Sequence, residues 1–306
     1  MELYTVNGTL TPQPPFDFQK SLGFIREFAP TRAEQRIIEQ TLTKALIVND
    51  RVCAFALKSI GSCDAPQLAY TLYATQPIEP ALQTALLDRI TFAYSLNDDV
   101  RPFYELGRTD RDFASVVEML HGLHHVKFPT PFESACWAVL SQRVPMVLGQ
   151  QFKQALMEKY GQSLLIDGVS HRAFPDPAQL QTATQADLEA LVRNARKAEY
   201  LRAVIGAFNE VDETFLRTGD YDEVRRWLLG IKGIGEWSAE LVLWRGLGRM
   251  RQWHIAVDSI AGQRMIDAAS KVYGHGRTLT EQEFLVLAEK YREWPGYWLY
   301  YLRTAS

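Results

Sequence analysis

Three glycines, Gly230, Gly233 and Gly235, punctuate the run Leu229-Gly-Ile-Lys-Gly-Ile-Gly-Glu-Trp-Ser-Ala239 between two apolar, helix-forming stretches. Glycine suits places where the backbone turns with positive φ, or where a ligand or another backbone comes very close. A tight turn that opens into a helix leaves the first amide N–H groups unpaired, and such donors suit a phosphate oxygen. One lone carboxylate, Asp258, follows a helix later in Val257-Asp258-Ser259. Together these parts would grip a nucleic-acid backbone and set a single acid beside it. Each part also has a plainer reading. A glycine-rich link between helices is commonly a C-cap plus a turn, and Asp258 ahead of Ser-Ile-Ala-Gly is a good helix N-cap.

The rest of the chain must position these groups. Its 306 residues, 47% of them hydrophobic, suffice for two or three packed units. A formal net charge of -3 means that DNA would have to be met by a local face rather than a global field. Cys53, Cys63 and Cys136 are scattered and odd in number, which fits a reduced compartment. No cysteine follows Cys136, so no four-cysteine iron–sulfur cluster is expected near the C-terminus. Neither a signal peptide nor a membrane span is expected. The expected setting is intracellular: cytoplasmic and nucleoid-associated in a bacterium or archaeon, nuclear in a eukaryote.

Coarse patterning divides the chain near residue 98. Ala45–Val48 and Val52–Leu57 flank the polar pair Asn49-Asp50 as a β-hairpin, and Leu68–Ala74 reads as a third strand. Helical spacing appears around Ser21–Phe28 and Pro80–Ser95. From about Asp99 the pattern is helical, with segments near Phe132–Val144, Pro145–Tyr160, Asp187–Arg193, Lys197–Phe208, Tyr221–Leu229, Glu236–Leu247, Ser259–Ala269 and Thr280–Arg292. The expected fold class is mostly α, with an N-terminal α+β unit (1–98) built on a small antiparallel sheet and a helical unit (99–306).

Taken together, Gly233-Ile-Gly235, the Trp-Ser-Ala helix start and Val257-Asp258, with Asp258 23 residues after Gly235, resemble the helix-hairpin-helix–GPD superfamily of DNA glycosylases. Pro14-Pro15-Phe16-Asp17-Phe18 with Leu22-Gly23-Phe24 is similar to the N-terminal signature of its alkylpurine branch, the 3-methyladenine DNA glycosylase II type. Phe132-Glu133 through Ser141-Gln142-Arg143-Val144, Phe174-Pro175-Asp176-Pro177 and Arg196-Lys197-Ala198 extend the likeness along nearly the whole chain. The resemblance implies two helical lobes with a catalytic cleft between them. It makes Asp258 the catalytic carboxylate. The turn of Gly230, Lys232, Gly233, Ile234 and Gly235 becomes the phosphate grip, often holding a monovalent cation on its backbone. Phe24, Gln142 and Trp237 fall at the base pocket, and Arg143 becomes the wedge that fills the space of an extruded nucleotide. Strand-cutting relatives carry a lysine where this chain has Trp237, so water is the expected nucleophile. The chain departs from the pattern at Lys232, usually proline, at Leu241 in place of a pocket tyrosine, and at Arg303 near a position that holds tryptophan elsewhere.

The expected activity is therefore hydrolysis of the N-glycosidic bond of alkylated purines, 3-methyladenine and 7-methylguanine, in double-stranded DNA, by a monomer without a cofactor. Two alternatives stand beside it: a same-fold enzyme for neutral lesions such as hypoxanthine or ethenoadenine, and a non-catalytic module that binds damaged DNA. His121, His124 and His125 read as a solvated turn rather than a metal site, and Glu223, Arg225 and Arg226 as an exposed helix face.

Overall fold

A computed structural model describes residues 3–32, 34–252 and 256–305. Five strands, β1 (Tyr4–Leu10), β2 (Gln35–Ile38), β3 (Thr41–Val48), β4 (Arg51–Ser59) and β5 (Leu68–Ala74), form one antiparallel sheet in the order β1-β5-β4-β3-β2. The β3–β4 hairpin closes through Asn49 and Asp50, whose φ values of 51° and 60° suit the mirror-image turn that matches strand twist. Inward residues alternate along β5, and Leu68, Tyr70, Leu72 and Ala74 pack with Phe55, Leu57 and the helices Phe18–Glu27 and Pro80–Ala93. The edge strands β1 and β2 lacked a strong apolar alternation and were not expected.

The remaining helices gather around two cores. One is centred on the helix Pro131–Leu140, in which all ten residues are buried, packed by the helix Ala195–Glu210 and the segment 236–247. The other joins Phe103, Phe113 and Tyr291 to the C-terminal helix Pro295–Ala305, where Trp298 and Tyr301 are fully buried. The expected helix Glu236–Leu247 is broken: an α-helix runs Glu236–Leu241 and a π-helical turn follows over Val242–Gly246. A second hairpin, Ser163–Ile166 with Val169–Arg172, interrupts the helical region. Among the described residues no helix is long and apolar enough to cross a membrane.

Sheet and helices meet through buried charges. Lys153 Nζ donates to Glu133 Oε1 (2.6 Å) and the Pro30 carbonyl (3.0 Å) and pairs with Glu34, which Lys44 reaches at 3.1 Å.

Candidate active site

The helices Tyr221–Gly230 and Glu236–Leu241 are joined by a short turn whose Ile231 and Ile234 are buried, which roots it in the core. Only Gly233 needs to be glycine for internal reasons. Its φ is +94°, and an added Cβ would run into the Tyr200 ring. Gly230 and Gly235 have ordinary φ values and open space where a Cβ would stand, so the fold itself does not demand glycine there. Gly235 supplies no side-chain cap to the helix it opens. Lys232 is mostly exposed and pairs with Glu199, so a phosphate would have to draw it away from that partner. Arg225 is not on a free helix face as expected. It pairs across the hairpin with Glu236 and Glu240.

Asp258 does not cap the helix Ile260–Tyr273. Ser259 does so, its Oγ accepting from the Gly262 N–H at 3.0 Å. Gly262 itself lets the 256–257 backbone fold against this first turn, since a Cβ there would strike Ala256 and Val257. Asp258 is exposed, and among the described residues its carboxylate has no hydrogen-bond partner. A carboxylate relieved of capping is free to face a ligand.

The wedge segment is held in place by two neighbours. Lys197 Nζ donates to the carbonyls of Val139 (2.9 Å), Leu140 (2.9 Å) and Gln142 (3.0 Å), putting a cation where the helix Pro131–Leu140 ends its dipole. Burial pulls the Lys197 pKa down to about 8. Gln142 Nε2 donates to the Gly233 carbonyl (2.8 Å) and Ser238 Oγ (3.2 Å), tying this turn to the hairpin. Its amide nitrogen is thus committed to the hairpin rather than to a base. Arg143 follows with φ +52°, a left-handed conformation that is uncommon outside glycine and asparagine.

These parts share one cleft of about 1630 Å³, lined by Trp137, Gln142, Arg143, Lys197, residues 233–238 and Ser259, which adjoins Asp258. Arg143, Arg196, Lys197 and Arg264 face it against a single acid, Glu236, giving the local basic face that a net charge of -3 requires. Its rim is also apolar: Trp237 is 42% exposed, Met146 49% and Ile260 77%. Sequence reading missed Met146, Ile260 and Trp137, which come together only in the fold.

Phe24 is not on the wall of this cleft. It is half-buried in an aromatic cluster with Phe28 and Tyr300 around Arg245. Leu241 lies between the hairpin and the π-turn, and the Arg303 side chain sits close enough to Arg245 for their charges to repel. His121 lies in a partly exposed turn as expected, but His124 and His125 do not. His124 is buried and bridges the Ser95 carbonyl (2.7 Å) and the Pro15 carbonyl (3.0 Å), while buried His125 contacts Arg245.

No protein-family model matches the sequence. Over 306 residues, 99% of this chain and 98% of the other, it is 24% identical to a DNA-3-methyladenine glycosylase of Bacillus subtilis. A solved 3-methyladenine DNA glycosylase from Archaeoglobus fulgidus superposes with a TM-score of 0.79 at 17% identity, covering 96% of both chains. An 8-oxoguanine glycosylase/lyase of Clostridium acetobutylicum, solved with double-stranded DNA, gives 0.67 at 14% identity over 100% of this chain and 97% of that one. The chain has the fold of the helix-hairpin-helix–GPD superfamily of DNA glycosylases and resembles the 3-methyladenine DNA glycosylases over nearly its whole length.

Proposed function

We propose that the protein is a DNA glycosylase that hydrolyses the bond between deoxyribose and a damaged purine, with alkylated purines, 3-methyladenine and 7-methylguanine, as substrates. One observation carries the reading: an exposed, uncapped carboxylate, Asp258, directly precedes Ser259 in the wall of a basic, apolar-rimmed cleft that also holds the glycine hairpin.

A base inside a duplex is out of reach, so the nucleotide must first turn out of the stack, at a cost of a few kcal/mol. Arg143 stands on a turn fixed to the hairpin by Gln142, so its side chain fills the vacated space while residues 233–235 hold the backbone. Backbone carbonyls of residues 231–234 are hard donors of the kind that hold a monovalent cation, and each retains a second lone pair although Gly233 O and Ile231 O already accept hydrogen bonds. Such a cation would add positive charge for the phosphate.

As the glycosidic bond breaks, its electron pair leaves with the base and positive charge grows on the sugar. Asp258 stabilises that charge and takes the proton of the water that attacks C1′. A purine alkylated at N3 or N7 is already cationic and leaves neutral, so no general acid is needed. Trp237 stands where strand-cutting relatives carry a lysine, and Lys197 in the cleft wall is spent on three backbone carbonyls, so no imine with the sugar forms and the reaction ends at the abasic site without strand cleavage. Double-stranded DNA is the partner and the enzyme works as a monomer.

Release of free bases from methylated duplex DNA tests the reading. Wild type is expected to release them, and Asp258→Asn to bind the duplex while losing about a hundredfold to a thousandfold in rate. Equal release by both proteins removes Asp258 from its role. Binding without release by wild type leaves only a damage-binding module.

A further inference from the structure

Away from the cleft, the fold brings together three ligand-forming side chains that the sequence keeps apart. Cys63 and Asp64 stand in the loop between β4 and β5, and His121 in the turn after the helix Ala114–Met119. Cys63 Sγ, an Asp64 carboxylate oxygen and a His121 ring nitrogen all lie within 4.8 Å of one another. Both backbones are held. The Cys63 carbonyl accepts from the Phe16 N–H (2.9 Å), and Ser62 Oγ accepts from the Ala65 N–H (3.1 Å). Across from them, Gly122 donates its N–H to Tyr104 Oη (2.8 Å), and its carbonyl accepts from the Asp17 N–H (2.8 Å). Gly122 has a φ of +88°, and a Cβ there would come within 2.8 Å of Cys63 Sγ. Glycine thus lets the thiol lie against the turn that carries the imidazole.

The charges around the trio favour a cation. Asp17 and Asp64 act on Cys63 with negative charge and Lys20 with positive, and Lys20 is engaged by the Met119 carbonyl at 2.7 Å. Arg108 Nη2 stands 3.5 Å from His121 Nδ1, the outer limit of a hydrogen bond, and its charge is met by Glu118 at 2.7 Å. Arg108 therefore does not claim the ring. Two carboxylates disfavour a bare thiolate, but a bound metal reverses that logic: it takes the thiolate, and the proton goes to solvent. One thiolate, one imidazole and one carboxylate suit Zn²⁺, whereas Mg²⁺ and Ca²⁺ take oxygen ligands. Tetrahedral Zn²⁺, with ligands at about 2.0–2.3 Å, would hold these atoms about 3.3–3.8 Å apart, a closure of at most about 1.5 Å. Side-chain rotation at exposed Asp64 and partly exposed His121 covers that distance, and water completes the tetrahedron.

We infer that Cys63, Asp64 and His121 form a structural site for Zn²⁺ or a similar thiolate-binding divalent cation, which clips the β4–β5 loop to the 120–123 turn. The C-terminal helix is anchored on the same turn, Tyr301 Oη donating to the carbonyls of Leu120 (3.2 Å) and Leu123 (2.7 Å). The cation would therefore brace the sheet against that helix too. Neither the cleft nor Asp258 takes part, so the site is independent of the glycosylase reading.

Co²⁺ is the direct probe, because its bond to a thiolate absorbs in the near ultraviolet. Metal-free protein is expected to take up one equivalent with that absorption, and Zn²⁺ to displace it. Cys53 and Cys136 are buried, so the signal reports Cys63. Cys63→Ser should abolish the absorption, and His121→Ala should weaken binding at least about tenfold, a loss common even for an outer-shell partner. Zn²⁺ should raise the melting temperature of wild type, and that of either variant much less. A further readout needs no variant to fold: one cysteine per native chain should react with a thiol reagent, and Zn²⁺ should protect it. No saturable Co²⁺ binding, binding without the thiolate absorption, a thiol that Zn²⁺ leaves unprotected, or a signal that survives either substitution at full affinity overturns the site.

Discussion

At the N-terminal end of the buried helix Pro131–Leu140, Glu133 is locked to Lys153, which also holds Glu34, which in turn holds Lys44. At its C-terminal end a lysine again arrives, but Lys197 meets only carbonyls, and the chain runs on through Gln142 into Arg143 with a left-handed backbone. The first end spends every charge inside the protein and joins the sheet to the helices. The second leaves charge facing a cleft. Burial pushes Glu34 up, yet Lys153 and Lys44 together hold its carboxyl below the usual range. Arg143 is exposed, and among the described residues no acid pairs with it. The difference separates what holds this fold together from what the fold presents to a ligand.

Breaking the inner end should have the largest effect. Lys153→Met leaves Glu34 and Glu133 buried without their shared cation, and removing one partner of a buried pair costs about 3–5 kcal/mol. Chemical denaturation reads this directly, and an unchanged midpoint would mean that the junction contributes nothing. The pH dependence has a definite sign. Glu34 has a lowered folded-state pKa, so its contribution is complete above the ordinary glutamate range and disappears as pH falls through the lowered value.

The outer end should respond more in binding than in stability. Lys197→Met frees three carbonyls at the turn that carries Arg143. It is expected to cost about 2 kcal/mol of stability and to weaken binding to lesion-containing duplex about tenfold, with single strands much less affected. In wild type the same discrimination should fade above about pH 8, as the Lys197 ammonium loses its proton. Thermal stability moves the other way. The folded-state pKa lies below the unfolded value, so the unfolded chain binds more protons between the two, and this group makes stability rise with pH over that window. Loss of duplex and single-strand binding in equal proportion would reduce Lys197 to a packing residue.

The sequence made legible what is local in it. The turn at Asn49-Asp50, the hairpin glycines and Asp258 are short motifs whose residue types state their own backbone needs. The Asp167-Gly168 turn of the second hairpin is a signal of the same kind, with φ of 50° and 77°, and it was there to be read. The C-terminal helix was not legible, because Tyr297 through Leu302 are all buried and leave no polar face to set a period. His124 and His125 were misjudged for a related reason: what surrounds an imidazole is decided by tertiary contacts. The cluster around Arg245 draws on residues 24, 28, 125, 245 and 300, and no spacing rule connects them.

The smallest expected effect sharpens the outer end most finely, since it separates the needs of the fold from the needs of the ligand within one hairpin. Gly233→Ala is refused by the protein itself, through a φ of +94° and the Tyr200 ring, and should cost about 1–2 kcal/mol or more before DNA is considered. Gly230 ends a helix with open space around its missing side chain, so Gly230→Ala should leave stability unchanged or raise it by up to about 1 kcal/mol. If the DNA strand nevertheless lies against that position, the methyl group will stand where a phosphate or sugar must pass, and affinity for duplex will fall in a protein that is no less stable. If affinity holds, the strand is gripped only from Gly233 onward, and Gly230 is no more than the end of its helix.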